Sequence, residues 1–180
     1  MRQIVLLRGV NIGSRNRIAM PRLRELLVEA GFSDVATYLQ SGNAVLATDQ
    51  APDDVAARCR RMIAEELGLD IDVVVRTRDE LAEVVARNPL GELALEPKRY
   101  QVSFLAEELA SDVIEKLAAL AADGERLVAI GRELYAWHPD GARRSRLWAA
   151  LASPRLGVAA TARNWSTVTN LLAIADRQSG

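Results

Sequence analysis

The segment Arg8-Gly9-Val10-Asn11-Ile12-Gly13 combines residue types that can bind an anion. It follows the apolar run at residues 4–7, so a buried strand would deliver it into a loop, where rigid folds often carry ligand contacts. The glycines would let backbone N–H groups approach a ligand, while Arg8 supplies charge and Asn11 a directional amide. The alternative is a wide turn in which Asn11 bonds its own backbone. The spacing matches neither a Walker A motif nor a dinucleotide fingerprint.

A second pair of polar residues, Arg163 and Asn164, stands at the predicted start of the last helix. The N-terminus of a helix attracts anions, and a neighbouring guanidinium strengthens that attraction. The predicted ligand-binding residues are therefore those of the first loop and of this helix start: Arg8, Gly9, Asn11, Gly13, Arg163 and Asn164.

The most basic stretch of the chain contains four arginines: Arg143, Arg144, Arg146 and Arg155. They could contact phosphate or nucleic acid, with Trp148 or Trp165 offering a stacking face. The competing interpretation is a solvated basic turn beside a core tryptophan. An aromatic content of 4% favours this second interpretation.

The segment Gln40-Ser41-Gly42-Asn43 is typical of a hairpin turn, in which Ser41-Gly42 would be the two central residues. Such a turn needs no further function. We expect the first and third strands of the sheet to run parallel. The loop after strand one and this turn before strand three would then lie at opposite ends of the sheet.

Several chemistries are disfavoured by the counts of reactive residues. The chain contains one histidine and one cysteine, which argues against His-rich or thiolate metal sites and excludes an intramolecular disulfide. His138 begins the turn His138-Pro139-Asp140-Gly141 and is predicted to be exposed, which disfavours a Ser–His pair. Cys59 falls on the apolar face of a predicted helix, where a buried structural role is expected.

The composition predicts a globular protein of one domain or two small coupled ones, with 180 residues and 49% hydrophobic residues. A net charge of −1 argues against general coating of nucleic acid, although a local basic patch remains compatible with it. A single cysteine suits the reducing cytoplasm. No segment reaches the roughly 18 apolar residues of a membrane span, so we expect a cytoplasmic protein without a membrane partner. The oligomeric state is left open.

The apolar periodicity predicts the same order of elements twice. Residues 3–8, 35–40, 43–48 and 70–76 have the pattern of strands, and residues 21–30, 52–67 and 78–87 that of helices. After residue 98 we predict strands at 100–105, 126–130, 133–137 and 158–160, with helices at 111–122, 145–152 and 164–175. This order is a duplicated split βαβ unit, in which each copy carries a trailing helix.

The predicted fold is therefore α+β, with two ferredoxin-like units. The first unit spans residues 1–90, the linker 91–98 and the second unit 99–180. The wider segment 89–98 contains two prolines and a glycine. Gly42 and Gly131 are predicted to take equivalent positions in the two hairpins.

Three segments also carry a resemblance to a known family: residues 7–13 (LRGVNIG), 38–43 (YLQSGN) and 161–168 (TARNWSTV). The chain resembles the bacterial domain of unknown function 1697 family along nearly its whole length. The resemblance implies two ferredoxin-like halves, and it implies no established activity, cofactor or catalytic residue.

The residues favour a non-catalytic binding module for a small anionic ligand, such as a nucleotide or a phosphorylated metabolite. This hypothesis requires that Arg8 and Asn11 are not buried and fully bonded to the core. The first alternative is a nucleic-acid-binding protein that uses the four arginines of the basic stretch. The second is an enzyme acting on a phosphorylated substrate, with Arg8 stabilising developing charge, although no positioned base or nucleophile is evident.

Overall fold

The computed structural model describes residues 1–177 and contains two four-stranded antiparallel sheets with helices. The first half of the chain forms β1 (Arg2–Leu7), α1 (Met20–Glu29), β2 (Ser33–Tyr38), β3 (Asn43–Ala47), α2 (Pro52–Leu67), β4 (Val73–Thr77) and α3 (Arg78–Arg87). The second half forms β5 (Tyr100–Leu105), α4 (Ser111–Ala118), β6 (Arg126–Ile130), β7 (Glu133–Trp137), α5 (Arg146–Leu151), β8 (Ala160–Asn164) and α6 (Trp165–Arg177). Short 3-10 turns lie at Pro97–Arg99 and Pro154–Leu156.

The two sheets have the same topology. Their strand orders are β2-β3-β1-β4 and β6-β7-β5-β8, so the first strand of each half lies in the interior of its sheet. The predicted α+β fold with two similar halves is confirmed, and each half carries the expected trailing helix, α3 or α6.

Contacts between Cα atoms divide the described chain into two compact units, residues 1–83 with 170–177 and residues 84–169. The two division points fall inside α3 and α6. The boundaries predicted from the sequence, with a linker at 91–98, stay a prediction. The last three residues of the predicted second unit lie outside the described residues.

The core of the first unit forms because its helices present apolar residues at helical spacing to one face of the sheet. Leu23 and Leu27 of α1, with Val55, Cys59 and Ile63 of α2, are buried against the strands. Both helices begin with a proline in their first turn, where the missing N–H costs no helical hydrogen bond. In the second unit, Leu117 of α4 and Leu147 and Leu151 of α5 join a corresponding core.

The direction of β3 corrects a prediction. β1 and β3 are antiparallel neighbours, with Leu6 opposite Asn43, and not parallel strands. The reason is topological: the α1 crossover makes β2 parallel to β1, and the tight hairpin makes β3 antiparallel to β2. The loop that leaves β1 and the turn that enters β3 therefore share one end of the sheet.

The first hairpin is also longer than predicted. Tyr38 pairs with Asn43, so the turn has four residues, Leu39 to Gly42, and not the two residues Ser41-Gly42. Leu39 has φ +58°, which no strand residue adopts, and the strand therefore ends before it. In the second unit Ile130 pairs with Glu133 across a two-residue turn. The strand pairings of the two halves make Arg132 the counterpart of Gly42. The predicted equivalence of Gly42 with Gly131 is therefore wrong by one residue.

The last strand is displaced from its predicted position. β8 occupies Ala160–Asn164 and pairs with β5 from Leu105 opposite Ala160 to Gln101 opposite Asn164. The prediction at residues 158–160 followed the apolar side chains. Small and polar residues form the actual strand because β5 supplies its hydrogen bonds.

Candidate anion-binding site

The loop after β1 and the β2–β3 turn form one structure at the end of the first sheet. The N–H of Leu7 donates to the carbonyl of Gly42 over 2.9 Å. The side-chain Nδ2 of Asn11 donates to the carbonyl of Gln40 over 2.6 Å. The antiparallel pairing of β1 and β3 is what brings these two sequence-predicted segments together.

Gly42 is required at the closest approach of the turn to the loop. It has φ +80°, and an added Cβ would lie 2.6 Å from Cγ2 of Val10 and 2.8 Å from Cβ of Leu7. Neither distance is compatible with a side chain, so only glycine allows the turn to pack here. The sequence pattern indicates a turn at Gly42 but does not reveal this contact.

Asn11 braces the loop through both atoms of its amide. Its Oδ1 accepts from the N–H of Ile18 over 2.8 Å, and its Nδ2 donates to the carbonyl of Ile18 over 2.8 Å as well as to Gln40. Asn16 adds a bond from Nδ2 to the carbonyl of Gly9 over 3.1 Å. Asn11 is half-buried, and its partners are the backbone of Ile18, whose side chain belongs to the core, and the turn carbonyl of Gln40. These contacts fix the shape of the loop.

The tip of the loop presents backbone N–H groups to solvent. Ile12 and Arg15 form an isolated antiparallel bridge across the tip. In the part of the chain that the structure describes, no acceptor bonds the N–H groups of Gly13 and Ser14, and both residues are exposed. Gly13 has φ +57° and follows a residue of negative φ. Such alternation turns successive N–H groups toward one side and forms a concavity that binds anions. Nothing lies within 4 Å of a Cβ built on Gly9 or Gly13, so the loop backbone is open to a ligand.

Two arginines of the same loop carry unneutralised charge. Arg15 and Arg17 are exposed, and among residues 1–177 neither has a carboxylate oxygen within 4 Å. Arg15 stands immediately after the two open N–H groups in the sequence, and Arg17 follows two residues later. The prediction from the sequence concentrated on Arg8 and missed both, although their alternation with Ser14 and Asn16 was a usable signal.

Arg8 lies at the base of the loop and is half-buried. Its Nη1 is 3.7 Å from Oδ2 of Asp72, and its N–H donates to the carbonyl of the same residue over 2.9 Å. Asp72 is shared with Arg60, whose Nη1 is 3.6 Å from Oδ1. The charge of Arg8 is thus partly balanced by Asp72.

Arg163 and Asn164 lie together in the second unit, where β8 passes into α6. Arg163 is buried, and its Nη1 donates to Oγ1 of Thr161 over 2.6 Å and to the carbonyl of Ala162 over 2.9 Å. Burial lowers the pKa of its guanidinium to about 10. Oδ1 of Asn164 accepts from the N–H of Thr167 over 2.9 Å and caps the helix. The cap oxygen bonds one of the N–H groups that an anion would use.

The four arginines of the basic stretch are exposed: Arg143, Arg144, Arg146 and Arg155. Within the described residues none of them has a carboxylate oxygen within 4 Å. Their proposed aromatic partners are engaged elsewhere. Trp165 stacks on Tyr100 with ring centroids 4.9 Å apart, and Trp148 contacts the ring of His138 at 5.0 Å.

His138 is buried, which corrects the prediction of an exposed turn residue. Its Nδ1 is 3.2 Å from Oε2 of Glu125 and 3.5 Å from Oγ of Ser145, while the Ser145 hydroxyl donates to the same Glu125 oxygen over 3.1 Å. No local sequence pattern reveals this cluster, because Glu125 and Ser145 are 13 and 7 positions from the histidine. Burial lowers the pKa of His138, and Glu125 partly opposes that effect.

The geometry of the Glu125–His138–Ser145 cluster differs from that of a catalytic triad. A triad places its serine on one ring nitrogen and its carboxylate on the other, whereas here both contact Nδ1. Nε2 is buried and has no hydrogen-bond partner in the described part of the chain. Oγ of Ser145 also accepts from the N–H of Trp148 over 3.0 Å and caps α5. The hydrogen bonds of the cluster fix His138 and Ser145, the residues on either side of the loop at 139–144.

The geometry assigns no chemical role to the other reactive groups of residues 1–177. Burial raises the pKa of the Cys59 thiol to about 12, so the thiol is unreactive at neutral pH. Across residues 1–177, no group of three or more His, Cys, Asp or Glu side chains is placed to hold a metal ion. No helix in the same range is both long and apolar enough to cross a membrane.

Comparison with known proteins gives a family and a fold. A family model described as a protein of unknown function, DUF1697, matches residues 1–135. The structure is similar to that of the conserved bacterial protein SP0830 from Streptococcus pneumoniae, with a TM-score of 0.76 and 20% identity over 97% of this chain and 98% of that chain. No curated protein sequence matches.

Proposed function

The chain belongs to the DUF1697 family of proteins of unknown function, and we propose that it is a binding module for a small anionic ligand. The ligand class is a nucleotide or a phosphorylated metabolite, and the site is the tip of the loop after β1. The observation that carries this proposal is the pair of successive N–H groups of the exposed residues Gly13 and Ser14, which have no acceptor among the described residues.

Charge supports the same location. Arg15 and Arg17 supply two unpaired cations beside the open N–H groups, and charge-assisted hydrogen bonds to phosphate oxygens are stronger than neutral ones. Gly9 and Gly13 leave the backbone uncovered. Asn11 contributes by holding the loop open through Ile18 and Gln40, and Arg8 adds charge at its base.

Thermal unfolding with inorganic phosphate and with adenosine monophosphate tests the proposal. Ligand binding to the native state raises the midpoint by mass action. We expect a saturable rise that is lost in the double variant Arg15→Gln/Arg17→Gln. The matched control Arg143→Gln/Arg144→Gln removes the same charge from the second unit and should retain the rise. Equal loss in both variants, or no rise with any phosphate compound, would contradict the proposal.

The four unpaired arginines of the basic stretch favour nucleic-acid binding as the second candidate function. Three of them flank the cap of α5, where the buried Glu125–His138–Ser145 cluster fixes the loop. Anisotropy of a labelled single-stranded oligonucleotide tests this candidate. Affinity should fall steeply with salt and should be lost in Arg143→Gln/Arg144→Gln. Affinity that is insensitive to salt, or equal in the variant, would exclude this surface.

The cytoplasm is the compartment that we propose for this activity. Cys59 is the one cysteine in the sequence and its thiol is buried, which suits a reducing environment. Phosphorylated metabolites and nucleotides are also available there.

A further inference from the structure

The second unit contains an apolar groove beside α4 and α5, with a volume of about 190 Å³. One water molecule needs only roughly 10–15 Å³, so the groove can hold an organic group. Its apolar lining consists of Val113, Leu117, Leu120, Ala150 and Leu156. Leu117 and Leu156 are buried side chains of the core, and the groove therefore reaches down to the core of this unit.

The rim of the groove is cationic. Lys116 and Arg155 both line it, and both are exposed. Among residues 1–177, Arg155 has no carboxylate within 4 Å, and Lys116 contacts only Asp112, at 3.7 Å. Ser153 also lines the groove, with its Oγ accepting from the N–H of Arg155 over 3.1 Å. Its hydroxyl hydrogen is therefore available to a ligand oxygen.

The corresponding groove of the first unit has a volume of about 240 Å³ and differs in the charges around it. Residues of α1 and α2 line it, and its rim carries both signs of charge. Arg58 donates to the carbonyl of Ala30 and lies 5.1 Å from the ring centroid of Phe32. Arg22 reaches from α1 to Glu66 of α2 over 3.9 Å. Arg58 and Arg22 therefore both have partners within the first unit.

The lining of the second groove has no comparable balance of charges. α5 has 6 residues where α2 has 16, and Ala150 stands on it at the groove wall. The exposed cations on the rim have no opposing carboxylate beyond Asp112 in the described chain. An apolar floor with two cations above it is complementary to a molecule with an apolar body and one negative end.

We propose that this groove binds a small apolar monocarboxylate. The hydrocarbon part packs on Leu117, Leu120 and Leu156, and the carboxylate lies between Lys116 and Arg155. This site is separate from the anion-binding loop of the first unit. It takes a ligand in which apolar surface provides most of the binding free energy and the charge provides orientation.

Titration of the ¹⁵N-labelled protein with phenylacetate, followed by amide chemical shifts, tests the proposal. We expect saturable shifts at Leu117, Leu120 and Ala150. The neutral analogue 2-phenylethanol should bind at least about fivefold more weakly, because one exposed ion pair contributes on the order of 1 kcal/mol. Arg155→Gln should lower the affinity for phenylacetate by a similar factor without changing the affinity for the alcohol.

Two control variants keep the test specific. Ala150→Leu fills the groove with a residue of high helix propensity and should abolish the shifts for both compounds. Arg143→Gln removes an exposed arginine outside the groove and should leave the affinity unchanged. The proposal is overturned if the shifts fail to saturate, if the alcohol binds as well as the acid, or if Arg143→Gln weakens binding as much as Arg155→Gln.

Discussion

The two units share a sheet topology and differ in which end of the sheet carries a long connection. In the first unit the long connection is residues 8–19, between β1 and α1, whereas its counterpart between β5 and α4 is residues 106–110. In the second unit the long connection is residues 138–145, between β7 and α5, against residues 48–51 in the first. Because β5 and β7 are antiparallel, these long connections stand at opposite ends of the shared topology.

The backbone frame under the two loops is nevertheless the same. Leu7 donates to the carbonyl of Gly42 and Leu105 donates to that of Arg132, each over 2.9 Å. One residue later, Arg8 donates to Asp72 over 2.9 Å and Ala106 to Ala159 over 2.8 Å. The two units share these backbone hydrogen bonds and differ in their connections. The loops, and not the sheets, therefore distinguish what each unit does.

Natural reporters allow each unit to be followed separately. The one cysteine, Cys59, lies in the first unit, and the three tryptophans, Trp137, Trp148 and Trp165, lie in the second. Thiol labelling therefore reports opening of the first unit, and tryptophan fluorescence reports unfolding of the second.

The two hairpin glycines give the largest predicted contrast. Gly42→Ala should lower the free energy of unfolding by about 4 kcal/mol, since it adds overpacking against Val10 and Leu7 to a positive φ. Gly131→Ala should cost about 1 kcal/mol, because it has φ +56° with open surroundings. Urea unfolding measures both, with Cys59 labelling for the first variant and tryptophan fluorescence for the second. Equal costs would refute the distinction between the turns.

The asparagines of the first loop give the next contrast. Asn11→Ala removes three hydrogen bonds and Asn16→Ala removes one side-chain bond, while both residues have positive φ. At about 1 kcal/mol for each bond, Asn11→Ala should lower the free energy of unfolding by about 2 kcal/mol more than Asn16→Ala does. Cys59 labelling in urea provides the measurement. If Asn11→Ala lowered the free energy of unfolding by less than Asn16→Ala, the bracing role of Asn11 would be contradicted.

The buried histidine predicts a pH dependence confined to the second unit. Burial lowers the folded pKa of His138 below its unfolded value, so its neutral form stabilises the fold above about pH 6.5. Stability should therefore fall as the pH decreases from 7.5 to 5.5, with tryptophan fluorescence in urea as the readout.

The variant His138→Gln separates this effect from the titration of carboxylates. Its stability should change less between the same two pH values, whatever its absolute stability. A wild-type protein that becomes more stable on acidification would show that the Glu125 attraction outweighs burial.

The sequence predicted what local patterns control. Helix starts next to Pro21 and at Pro52, the order of strands and helices along the chain and the duplication all follow from periodicity and end signals. The direction of β3 was also accessible, since a crossover followed by a hairpin determines it.

The remaining features depend on contacts between distant segments. The burial of His138 requires Glu125 and Ser145, and the glycine at position 42 is required by Val10 and Leu7. β8 is a strand because β5 pairs with it, not because its own residues favour one. The sequence suggested that Asn11 would bond either a ligand or its own backbone, whereas its partners Ile18 and Gln40 are 7 and 29 positions away.

The most direct test of the anion-binding loop is a titration of the ¹⁵N-labelled protein with inorganic phosphate. We predict saturable downfield shifts of the Gly13 and Ser14 amide protons, because these N–H groups would exchange water for a charged acceptor. The amides of residues 106–110, the corresponding short connection, should not move. Shifts that are absent from residues 13 and 14, or equal in the two connections, would contradict the assignment of an anion site to the first loop.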